Sequence, residues 1–257
     1  MHQINRGSGK PLLLIHGLGS SCLAWRPILD DLAAERSVIA IDLPGHGATP
    51  AEQDSGTFEG LVSSVERYLV ANDLVGIDVV GSSMGARIVL ELARRGTVGN
   101  VVALDPGGFW RGWERAFFRI TIGLSAKLLR ALRSRLPAIS RSAVARTALL
   151  AQLSAKPTAL SPELVSAELT GITDTTTFDA LVRDLANGPE QKGPAADPSQ
   201  RIVIGWGKHD RLCLPRQATR AIAAFPSATL HWFEHSGHFP VWDMPHEATV
   251  VILQATS

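Results

Sequence analysis

Residues 79–90 read Val79-Val80-Gly81-Ser82-Ser83-Met84-Gly85-Ala86-Arg87-Ile88-Val89-Leu90, an apolar run followed by small residues and then by a helical pattern. The pattern predicts a buried strand that turns sharply into a helix. Ser83 lies in the turn, at the centre of a Gly-x-Ser-x-Gly motif. Such a turn holds the serine in a strained backbone conformation and excludes bulky side chains two positions away. An ordinary tight turn would also use small residues. Ser83 is therefore a candidate nucleophile only if the rest of the chain supplies a base and an acid.

Short apolar runs alternate with longer helical patterns along most of the chain, which indicates an α/β fold with parallel strands joined by crossover helices. The helical patterns cover about residues 23–35, 58–71, 84–95, 215–224 and 244–254. Six apolar runs predict strands, the last of them nearer an edge of the sheet: Pro11–Ile15, Val38–Ile41, Ile77–Val80, Val101–Leu104, Ile202–Ile204 and Thr229–Phe233.

The alternation stops after Leu104, and residues 109–188 show helical periodicity without a convincing strand. One helix is predicted to begin at Ser161-Pro162-Glu163, because a capping serine, a first-turn proline and an acid mark a helix start. The sequence therefore predicts two domains. An α/β core contains residues 1–108 and 190–257, and an all-helical cap contains residues 109–189.

Charge within this predicted cap is segregated along the chain. Residues 109–156 contain ten Lys and Arg and one acid, for a net charge of +9. Residues 157–190 contain six acids and one base, for a net charge of −5. A basic face could bind an anionic lipid or substrate, but runs of one sign more often mark a solvated face. We therefore expect the two halves to pack together, with their charges paired or solvated.

The overall composition is that of a globular protein, and its charge balance indicates no nucleic-acid partner and no stable membrane insertion. The chain has 257 residues, of which 45% are hydrophobic, and a net charge of +1. No run reaches the roughly 18 apolar residues of a spanning helix. The polar N-terminus lacks the apolar core of a secretory signal, so a cytoplasmic location is expected. Cys22 and Cys213 are far apart and have no metal-binding spacing, which favours reduced, buried thiols. The oligomeric state is not indicated.

A serine hydroxyl needs a general base and an acid that orients it. His238 is the best placed of the eight histidines, in a loop after the last predicted strand, and His235 is its nearest rival. Asp210 follows a strand at the C-terminal edge of the sheet, where active sites of open parallel sheets lie. Asp105 follows the preceding strand and would give the same chain order of serine, acid and histidine. We favour Asp210, although chain order alone does not decide.

The negative oxygen of a tetrahedral intermediate needs preorganised donors. Met84, directly after the candidate nucleophile, offers one backbone N–H group. The second is assigned to Leu18, in the glycine-lined loop His16-Gly17-Leu18-Gly19 after an early strand. His16 is expected to brace this loop. The loop would otherwise be an ordinary turn between a strand and a helix.

Taken together, these segments resemble the α/β-hydrolase superfamily over essentially the whole chain. The matching motifs are His16-Gly17-Leu18-Gly19, Asp42-Leu43-Pro44-Gly45-His46-Gly47, Gly81-Ser82-Ser83-Met84-Gly85, Trp206-Gly207-Lys208-His209-Asp210 and Gly237-His238. The resemblance implies a doubly wound, mostly parallel sheet with a helical cap inserted after the sixth family strand. It also implies a triad of Ser83, His238 and Asp210. One departure is the short N-terminus, because the family's opening pair of strands has little room in residues 1–10. The first family strand is therefore expected to be missing.

The residues around the triad narrow the chemistry. Epoxide hydrolases and haloalkane dehalogenases on this scaffold attack with a carboxylate, which Ser83 argues against. Carbon–carbon hydrolases of ring-cleavage pathways typically carry Asn before the nucleophile and Trp after the histidine, where this chain has Ser82 and Phe239. We therefore expect a carboxylic ester hydrolase with no cofactor and no metal. The alternatives are a carbon–carbon hydrolase, an enol-lactonase, a haloperoxidase-like perhydrolase, or a non-enzymatic ligand receptor. A partner-binding role would predict an exposed apolar surface on the cap.

The substrate pocket is expected to be apolar. We assign Trp110, Trp113, Phe117 and Phe239 to its lining, with Phe118 and Ile120 as further candidates on the underside of the cap. These aromatic residues could equally form the cap's own core.

Overall fold

A computed structural model describes residues 1–257. It contains one sheet of seven strands: β1 (Gln3–Arg6), β2 (Pro11–Ile15), β3 (Ser37–Ile41), β4 (Asp78–Ser82), β5 (Val101–Leu104), β6 (Ile202–Gly207) and β7 (Thr229–Phe233). Their order across the sheet is β1-β3-β2-β4-β5-β6-β7. Every neighbouring pair is parallel except β1 and β3. This is the expected doubly wound, mostly parallel sheet, and the six predicted strands are all present.

Helices cover both faces of the sheet, as its apolar strands require. The eleven α-helices are α1 (Arg26–Ala33), α2 (Phe58–Ala71), α3 (Met84–Arg95), α4 (Trp113–Ala131), α5 (Leu136–Ile139), α6 (Ala143–Leu150), α7 (Pro162–Asp174), α8 (Phe178–Asn187), α9 (Ala218–Ala224), α10 (Pro240–Asp243) and α11 (Pro245–Thr256). The strand β2 shows how the layers form. Leu13 and Ile15 join the core on one face of the sheet, whereas Leu12 and Leu14 join the core on the other. All four are fully buried, because successive strand residues point to opposite faces.

The N-terminal edge of the sheet agrees with the expected departure from the family pattern. Residues 1–10 contain one strand, β1, which runs antiparallel to β3. Its half-polar sequence Gln-Ile-Asn-Arg is partly exposed, as is usual for an edge strand. The helical insertion therefore follows β5, the fifth strand of this chain.

One predicted helix is divided in two. The pattern over residues 23–35 becomes a short 3₁₀ segment, Cys22–Trp25, followed by α1. Pro27 lies in the first turn of α1, where its missing N–H group leaves no hydrogen bond unmade. The proline therefore fixes the start of the second helix.

Residues 109–189, the helical insertion, contain α4 to α8 and two short 3₁₀ segments but no strand. Ser161 caps α7 by accepting a hydrogen bond from the backbone N–H group of Leu164. The basic and acidic halves pack together and three ion pairs join them: Arg130–Asp179 at 2.9 Å, Arg133–Asp174 at 2.9 Å and Arg111–Glu190 at 3.1 Å. These pairs are exposed at the surface and contribute little stability. The division into a core of residues 1–108 and 190–257 and a cap of residues 109–189 stays a prediction.

None of the helices combines the length and the apolar character that crossing a membrane would take. Cys22 and Cys213 are both buried and unpaired.

Candidate active site

The turn between β4 and α3 places Ser83 in a strained conformation. Its backbone angles are φ 56° and ψ −112°, a region that residues with a side chain rarely adopt. The Ser83 N–H group donates to the carbonyl oxygen of Leu104, at 2.9 Å, and this bond ties the turn to β5. A Cβ atom on Gly81 would overlap the backbone of Gly85, and one on Gly85 would overlap the carbonyl oxygen of Ile15. Both glycines are therefore required for this close packing.

The structure brings Ser83, His238 and Asp210 together in one line. The Nε2 atom of His238 lies 2.8 Å from the hydroxyl oxygen of Ser83. Its Nδ1 atom lies 2.8 Å from the carboxylate oxygen Oδ2 of Asp210. The carboxylate can only accept, so Nδ1 carries a proton and Nε2 is free to accept the serine proton. The histidine and the aspartate are both buried, which strengthens the electrostatic interaction between them.

Backbone N–H groups hold Asp210 in its orientation. Its oxygen Oδ1 accepts hydrogen bonds from the N–H groups of Leu212, at 2.7 Å, and Cys213, at 2.9 Å. The other oxygen is therefore left to face His238. This loop follows β6, at the C-terminal edge of the sheet.

The competing acid, Asp105, lies at the end of the neighbouring strand β5 but does not contact His238. Its Oδ1 atom accepts a hydrogen bond from the N–H group of Gly207, at 2.8 Å. Burial, and next the negative charge of Asp210, raise the pKa of Asp105 well above its ordinary value. This shift favours the neutral form of Asp105, and the carboxylate that faces His238 belongs to Asp210. The rival base, His235, is exposed at the surface.

The loop that carries His238 is fastened to the helical insertion. The N–H group of His238 donates to the carbonyl oxygen of Leu153, at 2.8 Å. The buried carboxylate of Asp243 accepts from the N–H groups of Gly237, at 2.7 Å, and Ala155, at 2.8 Å. Sequence reasoning missed Asp243, since no motif surrounds it.

The loop after β2 lies against the nucleophile. A Cβ atom on Gly17 would be 3.2 Å from the Cβ atom of Ser83. Leu18 and Met84 both border the cavity that Ser83 faces. The N–H group of Leu18 has no acceptor in the backbone network. Met84 is the first residue of α3, so its N–H group has no acceptor within the helix.

His16 braces this loop instead of facing the cavity. Its Nδ1 atom donates to the carbonyl oxygen of Gly17 at 2.7 Å, and its Nε2 atom accepts from the N–H group of Leu43 at 3.0 Å. Burial lowers the pKa of His16, so the ring stays neutral and keeps this pair of bonds. The bracing role expected for His16 fits this arrangement.

A cavity opens above Ser83 and His238. Its lining is mostly hydrophobic and comes from both the sheet side and the helical insertion. Three of the predicted lining residues, Trp110, Phe118 and Phe239, lie in its wall. The Trp110 and Phe118 rings stack with a centroid distance of 4.5 Å.

The other predicted lining residues, Trp113, Phe117 and Ile120, lie outside the cavity, and this part of the prediction is wrong. Trp113 is 59% exposed and Ile120 is 52% exposed. The reason is helical phase. Residues 113, 117 and 120 share the outer face of α4, whereas Phe118 and Ile122 point to the cavity. The guanidinium of Arg216 lies 4.8 Å from the centre of the Trp113 ring.

The sequence profile of the alpha/beta hydrolase family matches residues 12–251, which is most of the chain. The chain belongs to the alpha/beta hydrolase family.

Relatives of this alpha/beta hydrolase agree with the assignment. An uncharacterized protein of Mycobacterium tuberculosis is 27% identical over 251 residues, covering 93% of this chain and 73% of that protein. The 2-hydroxy-6-oxononadienedioate/2-hydroxy-6-oxononatrienedioate hydrolase 1 of Dechloromonas aromatica is 27% identical over 258 residues, covering 95% of this chain and 86% of that protein. The structure of a thermophilic esterase from Thermogutta terrifontis is similar with a TM-score of 0.75 and 20% identity, covering 98% of this chain and 91% of that chain. At that identity the esterase shows the fold alone.

Two buried charged residues of this alpha/beta hydrolase, Arg87 and Glu168, also border the cavity, and sequence reasoning missed both. Arg87, on α3, donates to the carbonyl oxygen of Pro189 at 2.7 Å and lies 4.2 Å from the centre of the Phe58 ring. Burial lowers the pKa of Arg87 to about 10, so it stays charged at neutral pH. Glu168 could have been found, since it interrupts an apolar helical stripe.

Two groups of side chains are close enough together to share a metal ion: Asp210, Cys213 and His238, and His2, Cys22 and Asp42. Burial raises the pKa of Cys213 well above its ordinary value and that of Cys22 to about 12. Neither cysteine therefore offers a thiolate at neutral pH, the form that binds metals. In the first group, both ring nitrogens of His238 already face Ser83 and Asp210. The side chains of this first group therefore suit proton transfer better than metal binding.

Proposed function

We propose that the protein hydrolyses carboxylic esters of small, largely apolar substrates through an acyl-enzyme intermediate. The observation that carries the proposal is the line of 2.8 Å contacts from Ser83 through His238 to Asp210 at the floor of an apolar cavity. Ser83 supplies a nucleophile, His238 a neutral base, and Asp210 a carboxylate that fixes the protonated nitrogen.

The first half of the reaction forms the acyl-enzyme. The Ser83 oxygen attacks the ester carbonyl carbon while Nε2 of His238 takes the hydroxyl proton. The carbonyl oxygen becomes negative and accepts hydrogen bonds from the N–H groups of Leu18 and Met84. When the tetrahedral intermediate collapses, the carbon–oxygen bond to the alcohol breaks and His238 returns its proton to the leaving alcohol.

The second half releases the acid. His238 removes a proton from a water molecule, whose oxygen attacks the acyl carbon and forms a second tetrahedral intermediate. The bond to Ser83 then breaks, and the histidine gives the proton back to the serine oxygen. In both halves Asp210 stabilises the charged imidazolium without accepting its proton.

A carbon–carbon hydrolase is the second candidate, and two observations favour it. The relative from Dechloromonas aromatica bears the name of a hydrolase of a dienedioate, a substrate with two carboxylates. Arg87 borders the cavity and would attract such a group. Against this candidate, Ser82 and Phe239 stand where ring-cleavage hydrolases typically have Asn and Trp.

A ligand receptor is the non-enzymatic alternative. It predicts an exposed apolar surface on the helical insertion, and α4 has one: Trp113, Ile120, Leu124 and Leu128 are each at least half exposed. Binding alone, however, does not require a serine in a strained turn beside a neutral histidine. Turnover therefore separates the receptor from the enzyme.

The test is hydrolysis of p-nitrophenyl acetate and butyrate by the wild-type protein, Ser83→Ala and Ser82→Ala. Ser82 is the matched control, because it is the residue next to Ser83 and its own buried hydroxyl has no hydrogen-bond partner. We expect Ser83→Ala to lose at least about 10⁴-fold in kcat/KM and Ser82→Ala to retain most of it. Absence of turnover in the wild type, or equal turnover in Ser83→Ala, would refute the proposal. Faster cleavage of a dienoic ring-fission product than of butyrate would favour the second candidate.

A further inference from the structure

Glu168 is an acid on the buried face of α7. Its neighbours on that face, Leu164, Val165 and Leu169, are buried apolar side chains, and Glu168 itself is only 6% exposed. It borders the same cavity as Ser83 and His238. The cavity therefore contains a carboxyl group at a position where the helical pattern calls for an apolar residue.

No cation neutralises this group. Burial raises the pKa of Glu168 to about 7, and the one opposing influence is a hydrogen bond with the Ser20 side chain. Arg87, the cation that also borders the cavity, is not among the groups acting on it. The acids Asp174, Asp179 and Glu190 of the insertion, by contrast, pair with arginines at the surface. Burying an unpaired carboxylate costs stability, so its place in the cavity wall calls for a ligand that satisfies it.

The position of Glu168 is fixed by close packing of α7 on the loop after β2. One turn along the helix, a Cβ atom on Gly171 would be 2.6 Å from the carbonyl oxygen of Gly19. Ile172 packs against the same loop and also borders the cavity. The carboxyl group is therefore held beside the segment that carries Leu18 and Ser20, in the wall of the cavity that Ser83 and His238 also border.

We propose that Glu168 is a specificity-determining residue that accepts a hydrogen bond from a donor group, a hydroxyl or an ammonium, on an otherwise apolar ester substrate. The proposal rests on the proposed ester hydrolysis. A carboxylate accepts hydrogen bonds and repels another carboxylate, so an acidic group on this part of the substrate is disfavoured. A purely apolar substrate would leave the buried carboxylate with Ser20 as its one polar partner and would bind less well.

The test compares esters that differ in one terminal group. One set varies the alcohol: hexyl, 6-hydroxyhexyl and 6-aminohexyl butyrate. The other varies the acyl chain: methyl hexanoate and methyl 6-hydroxyhexanoate. Hydrolysis is followed by titration of the released acid at about pH 8.5, above the pKa of about 7 to which burial raises Glu168. The proteins are wild type, Glu168→Leu, Glu168→Gln and, as matched control, Glu163→Gln on the exposed face of the same helix.

We expect wild type to hydrolyse a donor-bearing ester about tenfold or more faster than its plain counterpart in at least one set. A hydrogen bond to a charged group contributes enough free energy for such a preference. Glu168→Leu should remove this preference. Glu168→Gln should keep part of the hydroxyl preference and lose the ammonium preference, because the amide retains an acceptor but no charge. Glu163→Gln should behave as wild type. Preference ratios in Glu168→Leu within about twofold of wild type in both sets would overturn the proposal.

A binding measurement separates failure of this proposal from failure of the proposed function. Calorimetric titration of wild type and Glu168→Leu with 2-octanone and 8-hydroxy-2-octanone needs no turnover. If no ester is hydrolysed, the proposed function fails, yet tighter binding of the hydroxyketone that Glu168→Leu loses would support the role of Glu168. Equal binding of both ketones by wild type would overturn that role.

Discussion

Replacing Glu168 by glutamine should stabilise the protein at alkaline pH and leave its stability nearly unchanged at acidic pH. Burial raises the pKa of Glu168 from 4.5 to about 7 in the folded protein. Below pH 4.5, the pKa in the unfolded chain, the carboxyl is protonated in both the folded and the unfolded protein, so its ionisation does not change the free energy of unfolding. Between 4.5 and about 7 the unfolded chain ionises first, and the folded state loses relative stability as the pH rises. Above about 7 the cost is complete and constant.

The size of this effect follows from the same two pKa values. At about 1.4 kcal/mol for each pH unit between them, the full cost has an upper limit of roughly 3 to 4 kcal/mol, and water entering the cavity would reduce it. Glutamine resembles the protonated acid in shape and has no charge. The gain in unfolding free energy for Glu168→Gln should therefore rise from near zero at about pH 5 towards about 3 kcal/mol at about pH 8.

The assay is urea unfolding followed by tryptophan fluorescence across this pH range, with Glu163→Gln as the exposed control on α7. His238 also lies in the cavity, but every variant contains it, so its contribution to stability largely cancels in the differences. The control should show a small difference that does not vary with pH. A gain for Glu168→Gln that is the same at all pH values, or a loss at about pH 8, would refute the idea that burial of this carboxylate is uncompensated.

Three further tests, which use five substitutions, probe the packing and the roles at the site. Gly85→Ala should destabilise the protein by about 3 kcal/mol in urea unfolding, since its Cβ atom would overlap a neighbouring backbone carbonyl; unchanged stability would contradict the packing. Asp210→Asn should lower kcat by about 10⁴-fold, whereas Asp105→Asn, which replaces an acid whose neutral form is favoured by burial, should change it by less than about tenfold. Trp110→Ala should shift the preference between acetate and hexanoate esters by about tenfold, and Trp113→Ala by less than about twofold; the reverse order would place the pocket on the wrong face of α4.

The sheet could be predicted where strands are buried on both faces. The run from Leu12 to Ile15 is continuously apolar because it meets a core on each side, and the sequence reveals it directly. The edge strand β1 has no such run, since half of it faces solvent. The break before α1 depends on Pro27. The sequence does not reveal it, because the helical periodicity of residues 23–35 extends across the proline.

The site was predictable in part for a related reason. Ser83 sits in a motif whose glycines are dictated by backbone overlap, so the sequence itself carries the geometry. The choice between Asp105 and Asp210 depended on two backbone N–H groups that orient the Asp210 carboxylate towards His238. No sequence pattern encodes this orientation. The lining of the cavity depended on the rotation of α4, where one position separates Phe117 from Phe118.

The helical insertion does more than line the cavity. Asp243 accepts from the loop of His238 through Gly237 and from the insertion through Ala155, while the N–H group of His238 donates to Leu153. One buried carboxylate thus joins the position of the base to the fold of the insertion. Glu168 reaches the cavity from the same insertion, through a helix packed on the loop of Leu18. A change that moves these helices should therefore alter substrate choice and base position together, because the same insertion makes both sets of contacts.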